Sequence, residues 1–155
     1  MKQFLFFIFL IFPVIKANAL IEVDITRGNL NPLPIAVSPL SIDENSRKSF
    51  KNILKKNNIG SEISKIVENN LKISGLFNPL NKDAFLQAPD IANLKPRFED
   101  WNLIKAQALI TGKVNFVDEK LRVEFRLWDV LAGKEMMALA FTTVPNNWRR
   151  VGHII

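Results

Sequence analysis

Apolar and polar positions alternate with a period of two in the C-terminal half of this chain, which is typical of β-strands with one buried face. The clearest run is residues 121–127, where Leu, Val, Phe and Leu alternate with Arg, Glu and Arg. Similar runs at residues 108–117 and 135–144 flank it, separated from it by the short segments 118–120 and 131–134. The pattern predicts three consecutive antiparallel strands, a β-meander.

The middle of the chain has helical spacing instead. We predict a helix that Ser61 caps and Gly75 ends in a left-handed conformation. Residues 87–96 contain two prolines and are predicted to form a loop before a short helix with Trp101. A last helix is expected to begin at Asn146 or Asn147. The apolar faces of the three helices comprise, in order, Ile63, Ile66, Val67 and Leu71; Phe98, Trp101 and Ile104; and Trp148, Val151 and Ile155.

Between these patterns lie shorter segments. Residues 34–40, with the sequence PIAVSPL, predict a buried strand, and residues 76–80 a short extended piece. Residues 41–58 are either a solvated loop or a short surface helix, and their lysines (Lys48, Lys51, Lys55 and Lys56) favour a solvated face over a nucleic-acid site. The elements predict an α/β (α+β) domain over residues 34–155, with a mixed sheet that ends in the antiparallel meander and two to three packed helices.

The chain begins with the pattern of a secretory signal peptide. Lys2 precedes an apolar run over residues 4–15, and Ala17 and Ala19 are the small residues that signal peptidase requires. We expect residues 1–19 to be removed by cleavage between Ala19 and Leu20, which leaves no transmembrane segment. The alternative is a membrane anchor, but the run is shorter than the roughly 20 residues that span a bilayer. The loss of Lys2 and Lys16 would lower the net charge of +6 by two, to +4.

Residues 20–33 form a segment that we call the arm and its hinge. Ile21, Val23 and Ile25 alternate with Glu22, Asp24 and Thr26, and prolines at positions 32 and 34 stiffen the exit. The alternation predicts either an ordinary edge strand or a mobile arm that adds a strand to the sheet of a partner protein. The candidate partner-binding residues are Leu20, Ile21, Glu22, Val23, Asp24, Ile25, Thr26, Arg27, Gly28, Asn29, Leu30 and Asn31.

The residues that most catalytic and metal sites require are scarce. The chain has no cysteine, its single histidine is His153, and no glycine pattern matches a phosphate-binding loop. We therefore predict a protein that is not an enzyme and has no catalytic residues, metal site or cofactor. Trp101 and Trp148 are expected in the core. Trp128 comes after Arg126 of the polar strand face, so its side chain is expected to cover a helix, a missing domain or a partner.

The order of these segments resembles the N-terminal domain of the TolB family. The resemblance covers essentially residues 20–155, and its most specific parts are residues 34–40, the SGLFNPL segment at residues 74–80 and the ITGKV run at residues 110–114. The lysine-rich residues 41–58 resemble a lineage-variable insertion. The second part of the family, a six-bladed β-propeller, has no counterpart in this sequence. Because the last helix ends without a cap, we expect the chain to be the front part of a longer protein.

The resemblance implies a periplasmic, non-enzymatic component of the Tol-Pal system. In that family the first dozen mature residues bind the C-terminal domain of TolA, and these correspond to Leu20 to Asn31. The propeller binds the lipoprotein Pal, so Pal is expected as a partner only if a propeller follows. The implied roles are outer-membrane integrity, invagination during cell division and, in addition, protein import.

Two other functions are compatible with parts of the sequence. A periplasmic small-ligand-binding domain or enzyme would use a pocket between sheet and helices, but it needs convergent polar groups that the sequence does not indicate. A nucleic-acid-binding protein would use the basic surface, but export and the excess of lysine over arginine in residues 41–58 argue against it. We expect no nucleic-acid partner.

Overall fold

The computed structural model describes residues 31–155, which form a mixed sheet with helices on both faces. The elements, in chain order, are β1 (Leu33–Val37), β2 (Ser41–Ile42), α1 (Glu44–Leu54), α2 (Ile59–Ile73), β3 (Phe77–Pro79), α3 (Pro89–Leu94), α4 (Phe98–Leu103), β4 (Ala108–Val117), β5 (Lys120–Asp129), β6 (Lys134–Thr143) and α5 (Trp148–Ile154). Short 3₁₀ turns occupy Lys82–Ala84 and Pro145–Asn147.

The strands are arranged in the order β3, β1, β4, β5, β6, and β2 pairs with β4 beyond the end of β1. The pairs β1–β3, β1–β4 and β2–β4 are parallel, whereas β4–β5 and β5–β6 are antiparallel. The predicted mixed sheet with a C-terminal meander is therefore confirmed.

One face of the sheet carries the larger core, to which α1, α2 and α5 contribute. Its fully buried side chains include Phe50 from α1 and Ile63 from α2, and Trp148 from α5 is 6% exposed. The predicted apolar faces of the α2 and α5 helices are confirmed. The buried members of this core are Ile35, Val37, Leu40, Phe50, Ile59, Ile63, Val67, Ala108, Ile110, Val114, Leu121, Val123, Trp148 and Val151.

A smaller core lies on the opposite face, beneath α3 and α4. Ala36 and Leu109 alternate with the strand residues of the first core, so the central strands β1 and β4 are buried on both faces, which accounts for the uninterrupted apolar run of β1. Trp128 packs here: its Nε1 donates to Thr111 Oγ1 at 2.9 Å, and its ring meets Phe98 of α4 edge-on at 5.8 Å. Of the three roles considered for Trp128, it therefore covers a helix.

The predicted loop over residues 87–96 is wrong in its middle, because residues 89–94 form α3. Pro89 suits the first turn of a helix, where its missing N–H costs nothing. Buried Gln87 holds the segment in place: its Oε1 accepts hydrogen bonds of 3.0 Å from Trp101 Nε1 and from the Arg97 N–H, and its Nε2 donates to the Lys95 carbonyl at 3.3 Å. Contacts with distant residues thus decided a structure that the local prolines did not indicate.

The predicted N-cap of α2 is also wrong, by three residues. Asn58 is the N-cap, and its side chain accepts a hydrogen bond from the Ser61 N–H. Ser61 therefore donates to the N-cap and is not the N-cap itself. The predicted end is confirmed, since Gly75 has φ +72°. Gly60, in the first turn, lies so close to Leu40 that a Cβ there would overlap the Leu40 carbonyl oxygen.

Residues 41–58 contain a helix, so the surface-helix alternative is confirmed over a loop for residues 44–54. A hydrogen bond between Ser46, in the first turn of α1, and the backbone of β4 joins the helix to the sheet. Ser46 Oγ donates to Asp43 Oδ2 at 2.6 Å and accepts a hydrogen bond from the Phe116 N–H at 2.8 Å. Asp43 is the N-cap, and its Oδ1 accepts from the Ser46 N–H at 2.9 Å.

Replacing Asp43 by alanine should lower the free energy of unfolding by about 1 kcal/mol near neutral pH, because the cap is lost. The hydrogen bonds from the Ser46 hydroxyl and the Ser46 N–H hold the pKa of Asp43 below its ordinary value. This stabilisation is therefore present above the ordinary pKa and is lost as the pH falls through the lowered one. Urea unfolding from pH 7 to about pH 3 should show the difference between wild type and variant shrinking below about pH 4. A difference that grows towards acid would contradict the assignment.

Candidate protein-interaction surfaces

The arm predicted to bind a partner joins the sheet at β1. Of its residues only Asn31 is described, and Asn31 and Pro32 are exposed. The signal peptide, the cleavage site between Ala19 and Leu20 and arm residues 20–30 lie outside the described residues. The exposed end at Asn31 is therefore the described part of this candidate site.

Hydrogen bonds fix the position at which the arm is attached. The Leu33 N–H donates to the Leu76 carbonyl, and the Pro34 carbonyl accepts from the Gln107 N–H, both at 2.9 Å. β1 is therefore held on one side by β3 and on the other by β4 from its first residues. The strand thus begins at Leu33, directly after Pro32, and Pro34 of the proposed hinge is its second residue.

A second candidate surface, which sequence reasoning missed, is strand β6. It is the outermost strand on its side of the sheet formed by residues 31–155, and it pairs only with β5 there. Met136, Met137 and Leu139 are 64%, 46% and 48% exposed. A long apolar edge strand is unusual in a free protein, because edges are commonly protected by charges or prolines. The sequence did carry a signal: residues 136–148 contain no charged side chain.

A third surface is the outward face of α1 together with its C-cap, where Lys48, Lys51 and Lys55 are exposed. Lys51 lies in the last turn of the helix, where a positive charge interacts favourably with the helix dipole. The sequence interpretation of these lysines as a solvated face agrees with their exposure.

The acidic groups on the polar face of the meander are engaged by neighbouring cations. Glu124 accepts a hydrogen bond from Arg122 Nε at 2.9 Å and lies 3.5 Å from Lys113 Nζ. The hydrogen bond from Arg122 is the main cause that holds the pKa of Glu124 below its ordinary value, and Lys113 adds to it. The carboxylate therefore stays ionised and serves to join β4 and β5.

His153 makes a local contact at the surface. Its Nδ1 lies 3.3 Å from Asn70 Nδ2, which also donates to the Gly152 carbonyl at 3.1 Å. Within residues 31–155, no group of three or more His, Asp or Glu side chains is placed to hold a metal ion. In the same part of the chain, no helix has both the length and the apolar composition needed to cross a bilayer.

Comparison with known proteins decides the family. Residues 21–136 match the model of the TolB amino-terminal domain. The chain belongs to this family. The resemblance inferred from residues 34–40, 74–80 and 110–114 is thereby confirmed.

A curated relative within the family is highly similar. The Tol-Pal system protein TolB of Pelagibacter ubique (strain HTCC1062) is 80% identical over 153 residues, which is 99% of this chain and 34% of that protein. The chain therefore spans about a third of the length of this TolB relative.

A solved structure has the same fold. The crystal structure of TolB from Acinetobacter baumannii aligns with a TM-score of 0.59 at 20% identity, over 79% of this chain and 26% of that one. At this identity the likeness concerns the fold of the TolB amino-terminal domain alone.

Proposed function

We propose that this chain acts as the amino-terminal interaction part of a periplasmic Tol-Pal component, and that residues 20–31 bind the C-terminal domain of TolA. The alternating pattern of the arm carries the proposal: Ile21, Val23 and Ile25 share one face, and Glu22 and Asp24 the other. An extended peptide with two such faces can add a strand to an exposed sheet edge, where main-chain hydrogen bonds supply affinity and the apolar face supplies register.

The described end of the arm supports this proposal. Asn31 and Pro32 are exposed, and the next residue enters a strand that is hydrogen-bonded on both sides. Within residues 31–155, the buried members of both cores all lie at or beyond position 35. Strand addition by residues 20–31 would therefore leave these buried side chains in place.

The proposed role is structural rather than enzymatic. The protein would link the inner and outer parts of the Tol-Pal system and so support outer-membrane integrity, invagination during division and protein import. The name of the Pelagibacter relative and the export signal support this role. Binding to Pal is proposed only for a longer chain that includes the propeller.

Deleting residues 20–31 should abolish binding of the mature chain to the TolA C-terminal domain, because the paired main chain is removed. Isothermal titration calorimetry of the two proteins measures this directly. Circular dichroism and thermal melting should show an unchanged fold, since the core members within residues 31–155 all lie beyond the deleted segment. Unchanged affinity after the deletion would refute the proposal.

Single substitutions sharpen the same test. Ile25→Asp places a charge on the apolar face and should weaken binding at least tenfold, by roughly the free energy of burying an apolar side chain. Thr26→Asp adds the same charge to the opposite face and is the matched control, with an expected change below about threefold, as for an exposed position. Equal losses in both variants would show that charge, and not strand register, governs the affinity.

A further inference from the structure

Helix α1 presents a continuous row of positive charges to solvent. Lys48 and Lys51 are one turn apart and lie on one side of the helix, and Lys55 follows as its left-handed C-cap. All three are exposed, whereas Ser46 and Phe50 on the other side are buried against β4 and the core. The hydrogen bond from the Phe116 N–H to Ser46 fixes the rotation of the helix, so these lysines face outward.

The row is not neutralised by the acids near it. Within residues 31–155, none of the three lysines lies within ion-pair distance of a carboxylate, whereas the nearby acids are engaged elsewhere. Glu44 is 3.7 Å from Arg47 Nε. Glu62 is shared between Lys56 at 3.7 Å and Lys65 at 3.9 Å.

The start of α5 extends this positive region. Lys56 Nζ lies 5.2 Å from the centre of the Trp148 ring, and the Arg149 guanidinium lies 5.1 Å from the same ring. A cation that follows α1 and a cation from α5 thus both contact the same aromatic ring. We call Lys48, Lys51, Lys55, Lys56 and Arg149 together the basic surface.

The chemistry of the basic surface suits many dispersed phosphates better than a single bound anion. Four of its five members are lysines, which act as mobile point charges and lack the bidentate geometry with which arginine grips one phosphate. Trp148 is only 6% exposed, so it offers no face on which a nucleic-acid base could stack. Repulsion between lysines on one helix face destabilises the helix slightly, and an anionic surface would relieve it.

We propose that the basic surface docks on a bilayer that contains anionic phospholipids. Each lysine held near such a bilayer contributes about fivefold to the partition coefficient, so three contribute on the order of 100-fold. The attraction is screened within about a Debye length, so it depends on ionic strength. This proposal adds a lipid partner to the protein partner of the arm. It relies on the proposed periplasmic location only for access to a membrane.

Vesicle sedimentation of the exported, purified chain tests the proposal. We expect binding to vesicles of phosphatidylcholine with phosphatidylglycerol, loss of that binding at high salt, and much weaker binding to pure phosphatidylcholine. The neutral vesicles also report any contribution from apolar segments. Equal binding to both kinds of vesicle, or no binding to either, would overturn the proposal.

Two triple variants with the same change in net charge locate the site. K48E/K51E/K55E should reduce the partition coefficient by more than about 100-fold, because the three lysines contribute that much and the glutamates add repulsion. K72E/K95E/K134E changes three exposed lysines on other elements and should reduce it less than about fivefold, as distant screened charges do. K48Q/K51Q/K55Q, with a milder expected loss, replaces the first triple if circular dichroism shows that it is misfolded. Equal losses from both glutamate triples would overturn the assignment to α1.

Because these variants leave residues 20–31 intact, TolA titration separates the two proposals. We expect K48E/K51E/K55E to keep the TolA affinity of the wild type while losing vesicle binding. Loss of TolA affinity in this variant would show that the basic surface serves the protein partner, and it would overturn the lipid assignment.

Discussion

Replacing Phe125 by alanine should lower the free energy of unfolding by about 3–5 kcal/mol, the range for removing a large aromatic side chain from a core. Phe125 is 5% exposed and lies on the core face of β5. Its ring stacks on Phe141 of β6 at 6.0 Å with an angle of 13°. The substitution therefore removes buried area and also leaves Phe141 without its partner on β5.

Urea unfolding followed by circular dichroism measures this loss. Leu139→Ala is the matched control, because Leu139 lies directly opposite Phe125 on β6 but is 48% exposed. It should cost less than about 1 kcal/mol, as expected for a half-exposed position. A loss below about 1 kcal/mol for Phe125→Ala would show that the face of β5 is wrongly assigned.

Replacing Gly112 by alanine should destabilise the protein by about 3 kcal/mol or more, at the upper end of the range for overpacking. Gly112 lies in the central strand β4, opposite Phe125. A Cβ there would overlap the Glu124 carbonyl oxygen and would lie 2.9 Å from Leu40 Cδ2 and 3.0 Å from Phe125 Cα. Two of these three atoms belong to the backbone of β5, so the strands themselves would have to separate.

Thermal unfolding should report this as a decrease in Tm on the order of 10 °C for Gly112→Ala. Gly75→Ala provides the comparison. Gly75 has φ +72°, and no atom of residues 31–155 would lie within 4 Å of an alanine Cβ there, so the substitution costs only the strain of its left-handed backbone, about 1 kcal/mol. If the two variants melted at the same temperature, close strand packing at Gly112 would not be the cause of the loss.

The meander shows where sequence reasoning succeeds. The alternation of Leu121, Val123, Phe125 and Leu127 with charged residues is a local property of the chain, and burial of one face translates it directly into a strand. The predicted strand at residues 108–117 agrees with β4 at both ends, and the third strand differs by one residue. Likewise, Gly75 ended α2 as predicted, because a left-handed residue after a helix has few alternatives to glycine.

Where the prediction failed, contacts between distant residues decided the outcome. Helix α3 lies in a segment whose prolines predicted a loop, and it is held by the hydrogen bonds of Gln87 with Trp101 and Arg97. At the start of α2, Gly60 allows the close approach of Leu40, 20 residues earlier in the chain. Neither contact leaves a periodic trace in the sequence.

The candidate interaction surfaces divide in the same way. The sequence by itself determined the family, the mixed fold, the period of the arm and the lysine spacing in residues 41–58, because these are patterns of neighbouring residues. Only the tertiary structure decided that β6 lies at the edge of the sheet formed by residues 31–155 and that Lys56 and Arg149 both lie near the Trp148 ring. Exposure and the meeting of separate elements depend on how the whole sheet and its helices pack, and no single segment encodes them.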